Sequence, residues 1–428
     1  MSKNAVQETR PPELRRDLGL LDAVGVGVGA IIGAGIFVVT GVAAAVAGPA
    51  FLVGLAIAGI AATANALSSA ELAVNYPQSG GTYEYGYRVL NPWFGFVAGW
   101  MFLASKISAA GTVALGLAGY LDMLVPWLPP RTIAVGAILL FTVVSYFGVR
   151  KSSQVNLLIV LVSVSSLLLF VGSGVSSFRL ENLSPFAPTR LSGILEASAI
   201  LFFAYTGYAR IATLAEEVRN PVSTIPRAVI ITLVATGGLY LAVSLVAVGA
   251  VGSARMAATA APLWVAAEAF SWPWVSTVVA IGGVTAMLGV VLSQLLGLSR
   301  MVFAMARYGD LPSFLKHVHP RHRTPNRAVL VVGLIAAVVA ATGTLASVAS
   351  AAAFTILVYY GIANLAALRL ERTKKLYPHI VAEIGLVSCT LLALSLPGRI
   401  ILIGCLVLLV GVLLRVVFYR KGVAQGDL

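Results

Sequence analysis

Charged residues are scarce in this chain. Asp, Glu, Lys and Arg make up 11% of its 428 residues, whereas a soluble globular domain carries roughly 25%. So few charges exclude a water-soluble enzyme. Cysteine is scarcer still: Cys389 and Cys405 both lie inside apolar runs, which predicts small buried side chains and no disulfide framework.

Hydrophobic residues make up 59% of the chain, and its mean hydropathy is +0.94. One bilayer span takes about 20 apolar residues, so the chain has room for about twelve spans joined by short loops. The net charge of +13 would suit nucleic acid if it were clustered on one face, but the basic residues are spread between the apolar runs. The sequence predicts one polytopic domain in a lipid bilayer and no nucleic-acid partner.

The apolar runs give the positions of the predicted spans. Long apolar runs without alternation of polar and apolar residues indicate membrane helices and not a barrel. The predicted all-α fold therefore has helices at about residues 20–46, 50–74, 92–122, 131–148, 153–176, 192–218, 225–251, 274–304, 327–345, 348–368, 379–397 and 400–419.

The basic residues set the predicted orientation, because cytoplasmic loops carry the excess of Lys and Arg. With the N-terminus in the cytoplasm, most of the 29 Lys and Arg residues fall on the cytoplasmic side. The exceptions are Lys106 and Arg210 at membrane depth, and Arg131, Arg179, Arg190, Arg255 and Arg399 outside. Both termini are therefore expected in the cytoplasm, as tails over residues 1–18 and 420–428. Between them we expect a transporter core over residues 19–370 and two additional helices in residues 371–419.

Glycine is dense in the first span, where six glycines fall between residues 25 and 41. Each weakens a helix by up to about 1 kcal/mol relative to alanine. The spacing of Gly25, Gly29 and Gly33 fits close packing against another helix. The alternative is that the helix is unwound at Gly33, Ala34 and Gly35, where free backbone amides and carbonyls would line a polar cavity.

The sixth span contains a second interruption, from Ala204 to Gly207. It lies five spans after the first, and an odd number of spans per repeat makes the second repeat enter the membrane from the opposite side. Spans one to five and six to ten, about residues 19–176 and 192–370, are therefore predicted to be inverted copies with corresponding broken helices. Paired interruptions of this kind are the best sequence indication of a transporter's binding site.

Four segments resemble the amino acid–polyamine–organocation permeases. They are GAIIGAGIF at 29–37, ELAVNYPQSGGTYEYGYRVLNPWFGFVAGW at 71–100, FFAYTGYARIATLAEEVRNP at 202–221 and RMVFAMARYGDLP at 300–312. The resemblance covers about residues 13–330 in a consistent order. It implies a leucine-transporter-type fold with two inverted five-helix repeats, helices 1 and 6 broken, and transport of an amino acid across the cell membrane by alternating access.

The resemblance also implies a substrate site at the two interruptions. Backbone amides at the positive end of a half-helix would bind the substrate carboxylate, near Gly33, Ala34 and Gly35. Backbone carbonyls would bind the substrate ammonium, at Ile31, Phe203, Ala204 and Thr206. Two aromatic side chains, Phe203 and Tyr205, would gate the pocket.

The fifth span departs from the family at Ser163. Many members have a lysine there, whose amine occupies the place of a sodium ion in sodium-coupled relatives. Ser163 and Thr285 of span eight either supply hydroxyl oxygens to a cation or are hydrogen-bonded to their own helices, which is the commoner arrangement. Coupling to a proton or sodium gradient and exchange of one amino acid for another are both open, and no cofactor is implied.

Two ionisable side chains, Lys106 and Glu196, are expected deep in the membrane. Charge at the bilayer centre costs at least about 2.5 kcal/mol, so such residues mark a functional site by default. Lys106 is predicted either to pair with Glu196 or to replace the missing amine of span five. The alternative is a lysine without a functional role.

The positive charges of Lys106 and Arg210 favour a neutral or an acidic substrate. Cationic amino acids, polyamines and organic amines are the alternative substrate class, and a non-transporting sensor on the same fold is the second alternative. A membrane enzyme would need a nucleophile with its base, or a cluster of metal ligands, at membrane depth. The histidines all lie in or beside loops, so neither catalysis nor a metal site is expected.

Overall fold

The structure is a computed structural model that describes residues 18–77, 80–148, 153–212 and 217–425. These residues are nearly all helical. The α-helices in chain order are α1 (Leu20–Ile31), α2 (Thr40–Ala47), α3 (Phe51–Asn75), α4 (Thr82–Tyr85), α5 (Pro92–Leu124), α6 (Pro130–Phe147), α7 (Ser153–Gly174), α8 (Leu191–Tyr205), α9 (Ala209–Ala212), α10 (Pro221–Ala257), α11 (Pro262–Glu268), α12 (Trp274–Arg307), α13 (Asn326–Thr342), α14 (Leu345–Leu368), α15 (His379–Leu394) and α16 (Gly398–Gln425).

Each predicted span coincides with one or two of these helices. The seventh was expected to end at residue 251, and Gly252, inside α10, has φ 75° and ψ 160°, where the backbone leaves the helical conformation. Two helices were not predicted. They are α4, which continues as a π-helical turn over Gly86–Leu90, and α11, and both are too short to give a span-length apolar run.

Nine helices in the described part of the chain are long and apolar enough to cross a membrane, and α13 and α15 are shorter apolar helices. One of the nine, Leu20–Asn75, contains the first two predicted spans. Between them, Gly48 has φ 59° and ψ −150°, a turn conformation that glycine adopts without steric cost, and Pro49 follows. The chain is a multi-pass helical membrane protein.

Two predicted boundaries are wrong. The sixth span was expected to continue as helix to residue 218, but Val218 instead forms an isolated parallel bridge with Leu18. The twelfth predicted span was expected to end at residue 419, but α16 continues as helix to Gln425; whether residues 420–428 form a cytoplasmic tail stays a prediction. The N-terminal tail, apart from Leu18, lies outside the described residues.

The helices differ in how deeply they lie in the bundle. In Leu20–Asn75, 83% of the most apolar stretch is buried, whereas the corresponding share is 22% in α6 and in α16. The first span is buried from Ile31 to Ala44, where its backbone can contact the other interrupted helix, and α6 and α16 lie at the lipid-facing periphery.

Candidate functional site

The first interruption follows α1. Ile32 has φ −72° and ψ 114°, an extended conformation, so the helix stops there. Helical structure resumes as a π-helical turn over Gly35–Val39 and passes directly into α2. The unwound residues are thus Ile32 and Gly33. Of the three residues predicted to be unwound, only Gly33 is, because Ala34 has a helical conformation and Gly35 begins the π-helical turn.

The second half of this broken helix begins with unsatisfied amides. The N–H groups of Ile36 and Phe37 both donate to the carbonyl of Gly33, at 3.3 Å. The amides of Gly33, Ala34 and Gly35 precede these bonds and have no partner in the helical ladder. They form the electropositive end of a half-helix in the middle of a membrane span.

The second interruption follows α8. It is a 3₁₀ turn over Thr206–Tyr208, after which α9 continues for one further turn to Ala212. The hydroxyl of Thr206 donates to the carbonyl of Phe203 at 2.9 Å. The chain is therefore tightened here and not extended, so the second interruption is milder than the first.

The two interruptions are in backbone contact. A Cβ atom on Gly35 would lie 2.6 Å from the Cα of Ala204, and one on Gly207 would lie 2.3 Å from the carbonyl oxygen of Ala30 and 2.5 Å from the amide nitrogen of Ile31. Such distances leave no room for a side chain. The glycines let the two broken helices touch at both edges of the interruptions.

Tyrosine hydroxyls reach the carbonyls of this region. Tyr240 in α10 donates to the carbonyl of Ile31 at 2.8 Å, and Tyr360 in α14 lies 3.5 Å from the carbonyl of Thr206. A carbonyl oxygen has two lone pairs, so each can still accept a second donor. The structure thus brings the residues predicted for the substrate site into one neighbourhood and adds Tyr240 and Tyr360.

The two predicted gating residues are both buried. The hydroxyl of Tyr205 is 3.4 Å from the carbonyl of Leu55 in α3, and its ring centroid is 5.7 Å from that of Tyr240. Tyr205, the last residue of α8, therefore packs between α3 and α10. Phe203, two residues earlier, is 8% exposed.

Lys106 lies in the middle of α5. Its ammonium nitrogen is 5.6 Å from the ring centroid of Phe102, and Arg210, just after the second interruption, is the charge that repels it. Among the ion pairs between described residues, none joins Lys106 to Glu196. The pairing of Lys106 with Glu196 therefore stays a prediction.

The hydroxyls of Ser163 and Thr285 are bonded to their own helices. Ser163 donates to the carbonyl of Ile159 at 2.7 Å, and Thr285 donates to that of Ile281 at 2.6 Å. The hydroxyl of Ser163 is also 3.3 Å from the carbonyl of Gly282 in α12. This is the commoner of the two arrangements considered, although both oxygens keep lone pairs that could face a cation.

A buried charged cluster links the segment before α5, the turn that follows α12, and α16. Asp310 is 2% exposed and accepts hydrogen bonds from the hydroxyls of Tyr83 (2.8 Å) and Tyr87. The guanidinium of Arg415 lies 3.3 Å from the carboxylate of Asp310 and donates to the carbonyl of Pro92 at 2.6 Å. We call these residues the Asp310 cluster. Asp310 and the two tyrosines lie in two of the segments that resemble the permeases, but their cluster was not predicted from the sequence.

The chain is similar to known amino acid permeases and transporters. The family model for amino acid permeases matches residues 22–424. An uncharacterized transporter of Mycobacterium tuberculosis is 42% identical over 411 residues, which cover 94% of this chain and 91% of the relative. A branched-chain amino acid permease of Bacillus subtilis is 30% identical, with 95% and 94% covered.

A third relative is the human cationic amino acid transporter 4. It is 34% identical over 359 residues, which cover 78% of this chain and 56% of the relative. The match to the family model extends over nearly the whole chain, and the chain belongs to the amino acid permease family.

Proposed function

We propose that this protein is a permease that moves neutral amino acids across the cell membrane by alternating access about the two interruptions. The observation that carries this proposal is the direct backbone contact of Gly35 with Ala204 and of Gly207 with Ala30. Discontinuous helices that meet at mid-membrane are how transporters of this type present backbone groups to a substrate.

The proposed architecture is twelve spans with a 5+5 inverted repeat and both termini in the cytoplasm. The turn at Gly48 and Pro49 supports two spans in Leu20–Asn75, and α13 and α15 supply two short ones. The repeats would cover about residues 19–176 and 192–370. Two interrupted helices, each first in its repeat, are the feature expected of such a pair.

In the proposed site the substrate carboxylate binds the amides of Gly33, Ala34 and Gly35. The positive end of the half-helix favours an anionic group there. The substrate ammonium binds backbone carbonyls close to the contact between the broken helices, those of Ile31, Phe203, Ala204 and Thr206. Tyr240 and Tyr360 hold two of these carbonyls in place.

A neutral side chain is favoured because of the charges beside the second interruption. Lys106 and Arg210 are both basic, and the charge of Arg210 acts on Lys106, so a cationic side chain entering this region would be repelled. The relative named as a branched-chain amino acid permease is consistent with this choice. The relative named as a cationic amino acid transporter makes cationic amino acids the second candidate.

The test is uptake of radiolabelled amino acids into liposomes that contain the purified protein. Neutral, cationic and acidic amino acids would be compared, with and without amino acid inside and with imposed proton or sodium gradients. Saturable uptake of neutral amino acids supports the proposal, and uptake that requires amino acid inside the liposomes identifies exchange. If only cationic amino acids were taken up, the second candidate would take the place of this proposal.

Lys106→Met is expected to admit cationic amino acids. Removing one of two neighbouring positive charges should raise the ratio of lysine to leucine uptake by about fivefold, which corresponds to roughly 1 kcal/mol. Lys106→Arg keeps the charge and is the matched control. An unchanged ratio in the methionine variant, at normal protein levels, would contradict a role for Lys106 in specificity.

Ser163→Ala tests whether the span-five hydroxyl takes part in ion coupling. If the hydroxyl serves only its own helix and Gly282, gradient-driven uptake should change by less than about twofold, since a helix hydroxyl bonded to its own backbone contributes little. Thr285→Val is the companion variant in α12. Loss of sodium dependence in either variant, with exchange retained, would instead assign the oxygen to a sodium site.

A further inference from the structure

An apolar groove lies on the membrane-facing side of the second interruption. Its walls are α3 and α10, one end is closed by α15, and its volume is about 500 Å³. Gly59 on one wall and Gly237 and Gly238 on the other create the hollow, because none of them fills it with a side chain. Thr63, also in the lining, donates its hydroxyl to the carbonyl of Gly59 at 2.8 Å, so this wall offers hydrocarbon to an occupant.

The groove is continuous with the surface that faces lipid. Ile60 and Val234, at its rim, are 65% and 71% exposed, and both belong to helices apolar enough to cross a membrane. Ile384 of α15 is also exposed. An apolar hollow that opens between membrane helices is in contact with acyl chains, so the chemistry of its occupant is that of a lipid hydrocarbon chain.

The side chain of Tyr205 lines this groove. A Cβ on Gly59 would lie 3.5 Å from its hydroxyl oxygen and one on Gly237 would lie 3.7 Å from its ring, so both glycines face it. Tyr205 is the last residue of α8, directly before the 3₁₀ turn. An occupant of the groove would therefore touch the residue at which the second broken helix changes conformation.

Tyr205 also leads to the first interruption. Its ring contacts that of Tyr240, with centroids 5.7 Å apart, and the hydroxyl of Tyr240 donates to the carbonyl of Ile31 at 2.8 Å. Ile31 is the last residue of α1. Two side chains thus connect the groove with the ends of both broken helices, which must move relative to the bundle if the site is to open on alternate sides.

We propose that this groove binds one acyl chain of a membrane phospholipid and that the bound chain, packed against Tyr205, modulates transport. Binding here gains no hydrophobic free energy, because the chain leaves an equally apolar bilayer. It depends on van der Waals contacts with a hollow of fitting shape. Side chains that fill the hollow should therefore displace the lipid.

The binding test uses a phosphatidylcholine with a diazirine in the middle of one acyl chain. After irradiation in liposomes, mass spectrometry should find label on residues 55–67 and 233–241 in excess of α6, which meets only bulk lipid. Gly238→Leu should lower this label by about threefold or more, because the leucine takes the contacts of the chain. Gly59→Leu fills the groove from the other wall and should do the same.

Gly136→Leu in α6 is the matched control. Gly136 and Gly238 are both exposed, and a Cβ on either would have no atom within 4 Å, so neither substitution should disturb folding. Label on 55–67 and 233–241 should stay unchanged in Gly136→Leu. If labelling of each helix only followed its exposure, or if residues 55–67 and 233–241 were labelled equally in Gly136→Leu and Gly238→Leu, the proposed site would be overturned.

Transport provides the second readout, and this part rests on the proposed function. Uptake would be compared in liposomes of palmitoyl-oleoyl and of branched diphytanoyl phospholipids. The wild type and Gly136→Leu should differ between the two lipids by about threefold, and Gly238→Leu should not, since its groove admits neither chain. Equal lipid dependence in all three proteins would overturn the coupling. The labelling readout needs no amino acid substrate, so its failure is distinct from failure of the proposed function.

A second copy of the chain is the competing occupant. Gly238→Cys placed in a Cys405→Ser background would form a disulfide-linked dimer in the membrane if α10 of one copy covered the groove of another. If this dimer formed as efficiently when the protein is dilute in the membrane as when it is concentrated, the lipid site would be overturned. Monomers under both conditions, together with the lipid label, support it.

Discussion

Gly207→Ala is expected to lower uptake by about a hundredfold, the cost of roughly 3 kcal/mol of overpacking at a contact that transport needs. The new methyl group would lie 2.3 Å from the carbonyl oxygen of Ala30 and 2.5 Å from the amide nitrogen of Ile31. These are backbone atoms, so no side chain can move aside. The two interruptions would have to separate, which displaces the carbonyl of Ile31 from the proposed site.

Gly25→Ala is the matched control for this variant. Gly25 lies in α1, as Ala30 does, but it is exposed and a Cβ there would have no atom within 4 Å. The alanine should keep wild-type uptake and stabilise the helix by about 0.5–1 kcal/mol. The measurement is initial uptake in liposomes, normalised to monomeric protein from size-exclusion chromatography.

Gly35→Ala approaches the same contact from the first broken helix. Its methyl group would lie 2.6 Å from both the Cα and the Cβ of Ala204. Ala204→Gly in the same protein removes one of the two clashes, so the double variant should recover part of the lost uptake. Near-normal uptake by Gly207→Ala, or no recovery in the double variant at equal protein levels, would contradict a functional contact between the interruptions.

The positions of the interruptions could be predicted because glycine leaves a local signal. A run such as Gly33–Gly35 weakens the helix whatever surrounds it, and the structure has its extended residue at Ile32. The helices were predictable for a similar reason, since a membrane span needs a long apolar run. Short helices such as α11 have no run of that length, and their existence depends on the neighbours that they pack against.

Side-chain partners could not be predicted in the same way. Tyr240 and the carbonyl of Ile31 are 209 residues apart, and hydropathy gives the depth of a residue but not the direction in which it faces. Lys106 and Glu196 were paired on depth alone, and their pairing stays a prediction because depth does not show which way either side chain faces. The one available signal for Tyr240 was a phenol in an apolar span, which needs a hydrogen-bond partner there.

Arg415→Leu is expected to destabilise the protein by about 3–5 kcal/mol, because it leaves the carboxylate of Asp310 buried without its counter-charge. Asp310 and Arg415 are 2% and 5% exposed, and the guanidinium also lies 4.6 Å from the ring centroid of Trp93 and 4.9 Å from that of Phe96. No solvent can replace these contacts. The cluster therefore joins α16, an otherwise peripheral helix, to the core.

Lys374→Ala is the matched control for loss of an ion pair. Lys374 lies 3.3 Å from Glu371, but their side chains are 46% and 71% exposed, so its loss should cost less than about 1 kcal/mol. Asp310→Asn provides the second comparison, since it removes the charge and keeps a polar group for the tyrosine hydroxyls. Asp310→Asn/Arg415→Leu should be more stable than Arg415→Leu alone, because no buried charge is left unpaired.

The pH dependence of Arg415→Leu follows from the carboxylate that it leaves behind. Burial raises the pKa of Asp310, and the hydrogen bonds from Tyr87 and Tyr83 and the charge of Arg415 act in the opposite direction. Without Arg415 the pKa should rise further. A carboxyl whose pKa is raised on folding stabilises the folded state at low pH and loses this contribution as pH rises through the folded-state pKa.

The unfolding temperature of Arg415→Leu should therefore approach that of the wild type as the pH falls from about 8 to about 5, since protonation removes the unpaired charge. Asp310→Asn/Arg415→Leu lacks the carboxyl and should show no such recovery. Thermal unfolding in detergent over this range measures both. A deficit in Arg415→Leu that is independent of pH would mean that the lost contacts with Trp93 and Phe96, and not the buried charge of Asp310, dominate the stability of the cluster.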